Sequence, residues 1–112
     1  MIKKEYLDLY KKAFLIRSTE EKISLEYSKQ KMRCPVHLSI GQELVPSTLS
    51  FFLNKKDKVI STHRCHAHYL GKGGSLKNMI AELHGKKTGC ASGKGGSMHL
   101  IDKKVGFVGT SA

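Results

Sequence analysis

Residues 85–109 read GKKTGCASGKGGSMHLIDKKVGFVG, and seven of these positions are glycine. Ordering glycine costs more backbone entropy than ordering any other residue, so this density marks main chain that must pass close to a ligand or to other main chain. The stretch is expected to be a site or part of one. Two familiar phosphate motifs do not describe it. A Walker loop needs G-x-x-x-x-G-K followed by Ser or Thr, whereas Gly89 and Gly93 enclose only three residues and Lys94 precedes Gly95. The dinucleotide fingerprint fails because Met98 stands where its third glycine belongs, and no strand pattern lies immediately upstream.

Upstream of the glycines stands His63-Arg64-Cys65-His66-Ala67-His68. Lys58-Val59-Ile60-Ser61 is a short strand candidate, which puts this polar cluster at a strand's carboxyl end, where open α/β sheets bind ligands. Gly71-Lys72-Gly73-Gly74 then breaks the chain, and Ser75 caps a helix whose Leu76, Met79, Ile80 and Leu83 keep i, i+3, i+4, i+7 spacing until Gly85. That stripe reads as core. Nearer the amino terminus, residues 5–30 hold no Gly or Pro, and Leu7, Tyr10, Phe14, Ile23 and Tyr27 keep roughly helical spacing, predicting one long packing helix. Ser39 with Gln42 suggests a capping box for a second helix running toward Leu53, where Pro46 is expected to remove a hydrogen bond and shorten or kink it. The chain is expected to end, from Val105 to Ala112, on a loop.

A chain of 112 residues has room for one core. Its longest apolar run, Ala13 to Ile16, is far too short for a membrane span, and Glu5 and Asp8 interrupt any signal-peptide core, which predicts a cytoplasmic protein. The three cysteines, Cys34, Cys65 and Cys90, are odd in number, widely spaced and without C-x-x-C, so they read as reduced thiols. The net charge of +11 gathers downstream: residues 1–26 carry six Lys or Arg against five acids, and residues 27–112 carry fourteen against four. Such a surplus suits nucleic acid, an anionic cofactor or an acidic partner alike.

Arg64 offers a planar fork of donors to a phosphate or carboxylate, and the histidines beside it add single hydrogen bonds or exchange protons near neutral pH. An anionic ligand is the expected guest. Zinc on His63, Cys65, His66 and His68 is disfavoured, because a ligating cluster seldom keeps an arginine within it. His37, between Pro35 and the Ser39 cap, either points into a site or packs. His99 reads as half-buried, His84 as a complement to a helix end, and Lys94 as solvated. A nucleic-acid-binding module has the charge in its favour, but Phe51, Phe52, Tyr69 and Phe107 form no aromatic ladder interleaved with basic residues.

Taken in order, P-V-H-L-S-I-G-Q-E at 35–43, T-H-R-C-H-A-H at 62–68, A-E-L-H-G at 81–85, G-C-A-S-G-K-G-G-S-M-H at 89–99 and G-F-V-G at 106–109 resemble the alpha subunit of thiamine-diphosphate-dependent 2-oxo acid dehydrogenases. That family includes the first component of pyruvate, branched-chain 2-oxo acid and acetoin dehydrogenase complexes. The resemblance runs from about Leu7 to the last residue. It implies an α/β thiamine-diphosphate-binding fold, of which residues 1–112 are expected to be an incomplete, helix-rich N-terminal portion with few strands and cofactor-facing loops at 62–68 and 85–112.

The resemblance also implies a function: oxidative decarboxylation of a 2-oxo acid by an oxidoreductase acting on an aldehyde or oxo group with a disulfide acceptor. The cofactor lies between alpha and beta subunits, usually in a heterotetramer, and the acyl group passes to a lipoyl-bearing acyltransferase. By motif match, Arg64 and His63 grip the diphosphate, with histidine at position 63 where many members have tyrosine. Gly106 and Val108 match a loop whose backbone receives the aminopyrimidine ring, and His37 and His66 match active-site histidines. Cys65, Ala67 and Pro46 depart from the usual residues. The G-D-G motif that holds magnesium is absent from the sequence, so this polypeptide alone is expected neither to bind the cofactor tightly nor to turn over.

Overall fold

The computed structural model describes residues 2–111, with the backbone alone described at Ile2; Ala112, the predicted end of the 85–112 loop, lies outside the described residues. In chain order the elements are α1 (Ile2–Tyr27), α2 (Leu44–Leu49), β1 (Val59–Thr62), α3 (His66–Gly71), α4 (Leu76–Leu83), a 3-10 turn (Lys103–Val105) and β2 (Phe107–Ser111). The architecture is α/β, helix-rich around a two-stranded parallel sheet.

The long helix forms as predicted, but a different face of it is buried. Ile16, Thr19, Glu20 and Ile23 turn inward at i, i+3, i+4, i+7, whereas Leu7, Tyr10, Phe14 and Tyr27 stay exposed. Two apolar patterns share the helix: of the predicted residues, Ile23 belongs to the inward one and Leu7, Tyr10 and Phe14 to the outward one. The second helix is shorter than expected and starts later. Glu43 is its N-cap, no side chain caps it, and Ser39 lies buried four residues ahead with its hydroxyl unpartnered. The expected capping box is therefore absent. Pro46 falls in the first turn, where backbone N–H groups have no helical partner, so it costs no hydrogen bond; the helix begins with Ser47 N–H donating to the Glu43 carbonyl at 3.1 Å.

Helix α4 follows its sequence signals. Ser75 Oγ accepts from Asn78 N–H at 3.2 Å, Met79 and Leu83 are buried, and the helix stops before Gly85. Each of those buried side chains contributes about 1.5–3 kcal/mol of apolar burial. The core continues through Cys65, Ala67, Leu70, Leu100 and the edge-on pair of Tyr69 and Phe107, whose ring centroids are 5.5 Å apart. Helix α3 was not foreseen. The polar cluster that marks its start and the glycines after it hide a short helix that buries Ala67, Tyr69 and Leu70.

The terminal stretch is not all loop, because residues 107–111 pair in parallel with β1. Val59 stands opposite Phe107, Ile60 opposite Gly109 and Thr62 opposite Ser111. One step on β1 thus spans two on β2, a bulge at Val108. Parallel pairing puts both carboxyl ends, Thr62 and Ser111, at the same edge of the sheet.

Candidate functional site at the sheet's carboxyl edge

Thr62 ends β1, and its hydroxyl accepts the Arg64 N–H at 3.2 Å, turning the chain toward α3. The turn presents His63, exposed, and Arg64, half-buried. Across from them runs the segment from His37 to Glu43. The His37 and His63 rings meet edge-on with centroids 4.8 Å apart, and Arg64 Nη1 donates to the Leu38 carbonyl. Among the described residues no carboxylate lies within ion-pair distance of Arg64. The edge therefore holds a half-buried guanidinium with no counter-ion among the described residues and two imidazoles beside it.

Helix α1 fixes the His37–Glu43 segment at two points. Arg17 donates to both Glu43 oxygens at 3.0 Å, and Gly41 N–H adds a bond of 2.6 Å to Glu43 Oε2. The Arg17 guanidinium, helped by that amide, holds the Glu43 carboxyl below its usual range against the opposing effect of burial. One turn further along α1, Glu20 Oε1 accepts the Ser39 N–H at 2.9 Å.

Glu20 also reaches His66, whose Nδ1 lies 2.8 Å from Oε2 and 3.0 Å from Oε1. On the other side of the ring, His66 Nε2 lies 2.7 Å from Ser97 Oγ. Cys65 Sγ donates to the Ser97 carbonyl at 3.2 Å, and burial pushes its thiol up to about 11. Glutamate, histidine and serine in this order have the connectivity of a hydrolytic triad. All three are buried, however, so the serine meets no substrate. What the row does is join α1, the T-H-R-C-H-A-H segment and the glycine-rich loop.

The glycine-rich loop closes on a carboxylate of the protein itself. Glu82 on α4, 1% exposed, accepts four main-chain N–H groups: Ala91 (2.6 Å) and Gly93 (2.9 Å) on Oε1, Gly95 (2.8 Å) and Gly96 (3.0 Å) on Oε2. This is an anion nest with its anion built in. Burial alone would raise the Glu82 carboxyl, yet the four amides from Gly96, Ala91, Gly93 and Gly95 outweigh it and hold it below its usual range. Gly93 shows why a side chain is excluded: its φ is +78°, and a Cβ there would lie 2.6 Å from the Gly85 carbonyl oxygen.

The other predicted positions stand apart from the edge. Gly106 precedes β2 at the amino end of the sheet, with φ +88° and a Cβ position blocked by the Asp57 carbonyl. Its carbonyl accepts from Val59 N–H at 2.8 Å, and its own N–H donates to Lys103. Arg64 lies beyond the opposite end of β1, so the length of the strand separates the two. Val108 occupies the bulge between them. His68 Nδ1 contacts Ser61 Oγ at 2.7 Å, and burial lowers its pKa. Cys65 and His66 thus turn to Ser97 and His68 to Ser61, and among the described residues no three His, Cys, Asp or Glu side chains gather to hold a metal. His84 Nδ1 lies 2.8 Å from the Ile80 carbonyl, closing its helix end; His99 is exposed rather than half-buried.

The sequence profile of the dehydrogenase E1 component matches residues 11–112. The chain belongs to that family. It is 44% identical over 107 residues to the pyruvate dehydrogenase E1 component subunit alpha-3, chloroplastic, of Arabidopsis thaliana, covering 96% of this chain and 25% of that protein. It is 44% identical over 108 residues to the corresponding alpha subunit of Rickettsia prowazekii, covering 96% and 33%. The alpha subunit of Porphyra purpurea is 43% identical over 109 residues, covering 97% and 32%. The chain therefore spans a quarter to a third of the length of these relatives.

Within this dehydrogenase E1 segment, the motif residues His37, His63 and Arg64 come together, and His66 lies beneath them. Sequence reasoning missed Glu20, Glu82, Ser97, Arg17 and Glu43. A signal existed for the first two. Glu20 falls between Ile16 and Ile23 on one helical face, and Glu82 between Met79 and Leu83, and a carboxylate on a buried stripe needs partners. Among the described residues no helix is long and apolar enough to cross a membrane.

Proposed function

We propose that this chain supplies the diphosphate-gripping edge of a thiamine-diphosphate-dependent 2-oxo acid dehydrogenase alpha subunit. One observation carries the reading: Arg64 is a half-buried cation at the carboxyl edge of a parallel sheet, and among the described residues no carboxylate pairs with it. A guanidinium so placed favours a phosphate-bearing guest, since it offers paired donors and has already lost part of its hydration. The diphosphate end of the cofactor fits these residues. Among the described residues no three His, Cys, Asp or Glu side chains gather to hold magnesium, and no part of the proposal runs through it.

When bound, the cofactor supplies the carbanion chemistry that cleaves the bond between the carboxylate and carbonyl carbons of a 2-oxo acid. Arg64 then holds diphosphate oxygens, and His63 donates a further hydrogen bond from the exposed side. His37, packed edge-on against His63, is the imidazole set to face substrate or cofactor. His66, whose two ring nitrogens are both engaged, acts through the residues it positions. We assign Gly106 and Val108 to setting the start and the bulge of β2.

The names of the relatives, component and subunit alpha, support assembly with further subunits, and the family resemblance makes these a beta subunit and a lipoyl-bearing acyltransferase. The exposed apolar side chains Tyr6, Leu7, Tyr10, Phe14, Val45 and Phe52 are surface of the kind such a partner covers.

Calorimetric titration of the chain with inorganic pyrophosphate and with thiamine diphosphate tests the reading. Salt-sensitive binding weaker than about micromolar is expected, with loss in Arg64→Ala and no decarboxylation by the isolated chain. Equal affinity of Arg64→Ala and the parent chain overturns it.

A further inference from the structure

The two halves of the candidate edge come from different parts of the chain. His37 and Leu38 lie on the segment after α1, and His63 and Arg64 lie on the turn after β1. A single buried carboxylate touches both segments. Glu20 Oε1 accepts the N–H of Ser39, next to Leu38, while Glu20 Oε1 and Oε2 accept from Nδ1 of His66, two residues after Arg64. We propose that Glu20 is the positioning residue of this edge, holding the His37 segment against the Arg64 turn.

The physical case rests on geometry and on burial. Glu20 is fully buried, and its two oxygens make three short approaches, all to these two segments. A carboxylate in such a place is fixed by its donors and fixes them in turn, because releasing either donor strands a buried polar group. The contacts directly across the edge are fewer: the His37–His63 ring pair and the Arg64 bond to the Leu38 carbonyl. Both rely on side chains with rotamer freedom to lose, so they depend on the backbone that carries them being held. On the far side of His66, the Ser97 hydroxyl at 2.7 Å from Nε2 helps set the ring plane, with Nδ1 turned to Glu20. The glycine-rich loop therefore reaches the edge through His66, although none of its glycines faces it.

The chemical role of the edge rests on the function proposed above; the positioning role of Glu20 does not. The test uses Glu20→Gln, which keeps size and one acceptor, and compares it with Met79→Ala, a core substitution in α4 outside the network. Two readouts are taken on the full 112-residue chain at a temperature where it is folded: the nuclear Overhauser contact between the His37 and His63 rings, and pyrophosphate affinity. In Glu20→Gln the ring contact is expected to vanish while the Val59–Phe107 strand contact persists, and any pyrophosphate affinity is expected to fall at least tenfold. Met79→Ala should keep the ring contact and change affinity less than twofold. If Glu20→Gln does not fold, Glu20→Asp, one methylene too short to hold both segments, is expected to show the same loss. A ring contact unchanged in the Glu20 variant overturns the inference, whatever the binding result. If the parent chain does not bind pyrophosphate but the variant loses the ring contact, the positioning role stands and the proposed function falls.

Discussion

The glycine-rich loop at 89–96 and the histidine-arginine turn at 62–68 look equally like sites in the sequence, yet the fold turns one inward and the other outward. The loop spends four amides on Glu82 and has none of those four left for a guest. The turn keeps a guanidinium with no carboxylate paired to it among the described residues. The lesson is electrostatic: a cluster of donors is a binding site only when the chain has not already supplied the anion. That supply depends on which side chain of a neighbouring helix points at the donors.

The sharpest way to break this contrast is to remove the built-in anion. Glu82→Ala leaves four buried N–H groups unpaired and is expected to lower stability by about 4 kcal/mol, read from the shift in urea midpoint. A loss under 1 kcal/mol would mean that the loop does not depend on that carboxylate. Gly93→Ala attacks the same nest from the other side, forcing a Cβ onto the Gly85 carbonyl at positive φ, and should cost about 2–3 kcal/mol by the same measurement.

Acid provides a graded version. The Glu82 carboxyl is held below its ordinary value of 4.5, so its contribution is complete above that value and disappears as pH falls through the lower folded value. The difference in thermal midpoint between the parent chain and Glu82→Gln is therefore expected to be constant near neutrality and to shrink below pH 4.5. A gap that instead grows on acidification would reverse the sign of this assignment. Smallest of all, Arg64→Gln should change stability by less than about 1 kcal/mol while abolishing pyrophosphate binding, since the side chain leaves no buried carboxylate behind. The opposite pattern would place Arg64 with Glu82 among structural residues.

Much of the site was legible because its chemistry is local. Strand β1 and the turn after it follow from Val59-Ile60 and the polar run that ends them, and α4 follows from Ser75, its apolar stripe and Gly85. Helix α1 was legible in length but not in facing. Its buried side carries Thr19 and Glu20 among Ile16 and Ile23, so the predicted stripe caught Ile23 on that side and otherwise took in Leu7, Tyr10 and Phe14 on the exposed one. Strand β2 and helix α3 were missed because their stability is not local. Phe107 to Ser111 becomes a strand only by pairing with β1, and His66 to Gly71 becomes a helix only because Tyr69 and Leu70 have a core to enter.

Read alone, the sequence determined the family, the helix-rich α/β character and the residues able to meet an anion, because motif spacing and side-chain chemistry are written in order along the chain. The tertiary structure alone decided which donors were already satisfied. Glu20 is distant in sequence from the histidine it holds, Gly106 lies at the opposite end of the sheet from Arg64, and the anion of the glycine loop comes from α4. These are matters of which groups meet after burial, where an unpaired polar group is costly and the fold is selected to leave few of them.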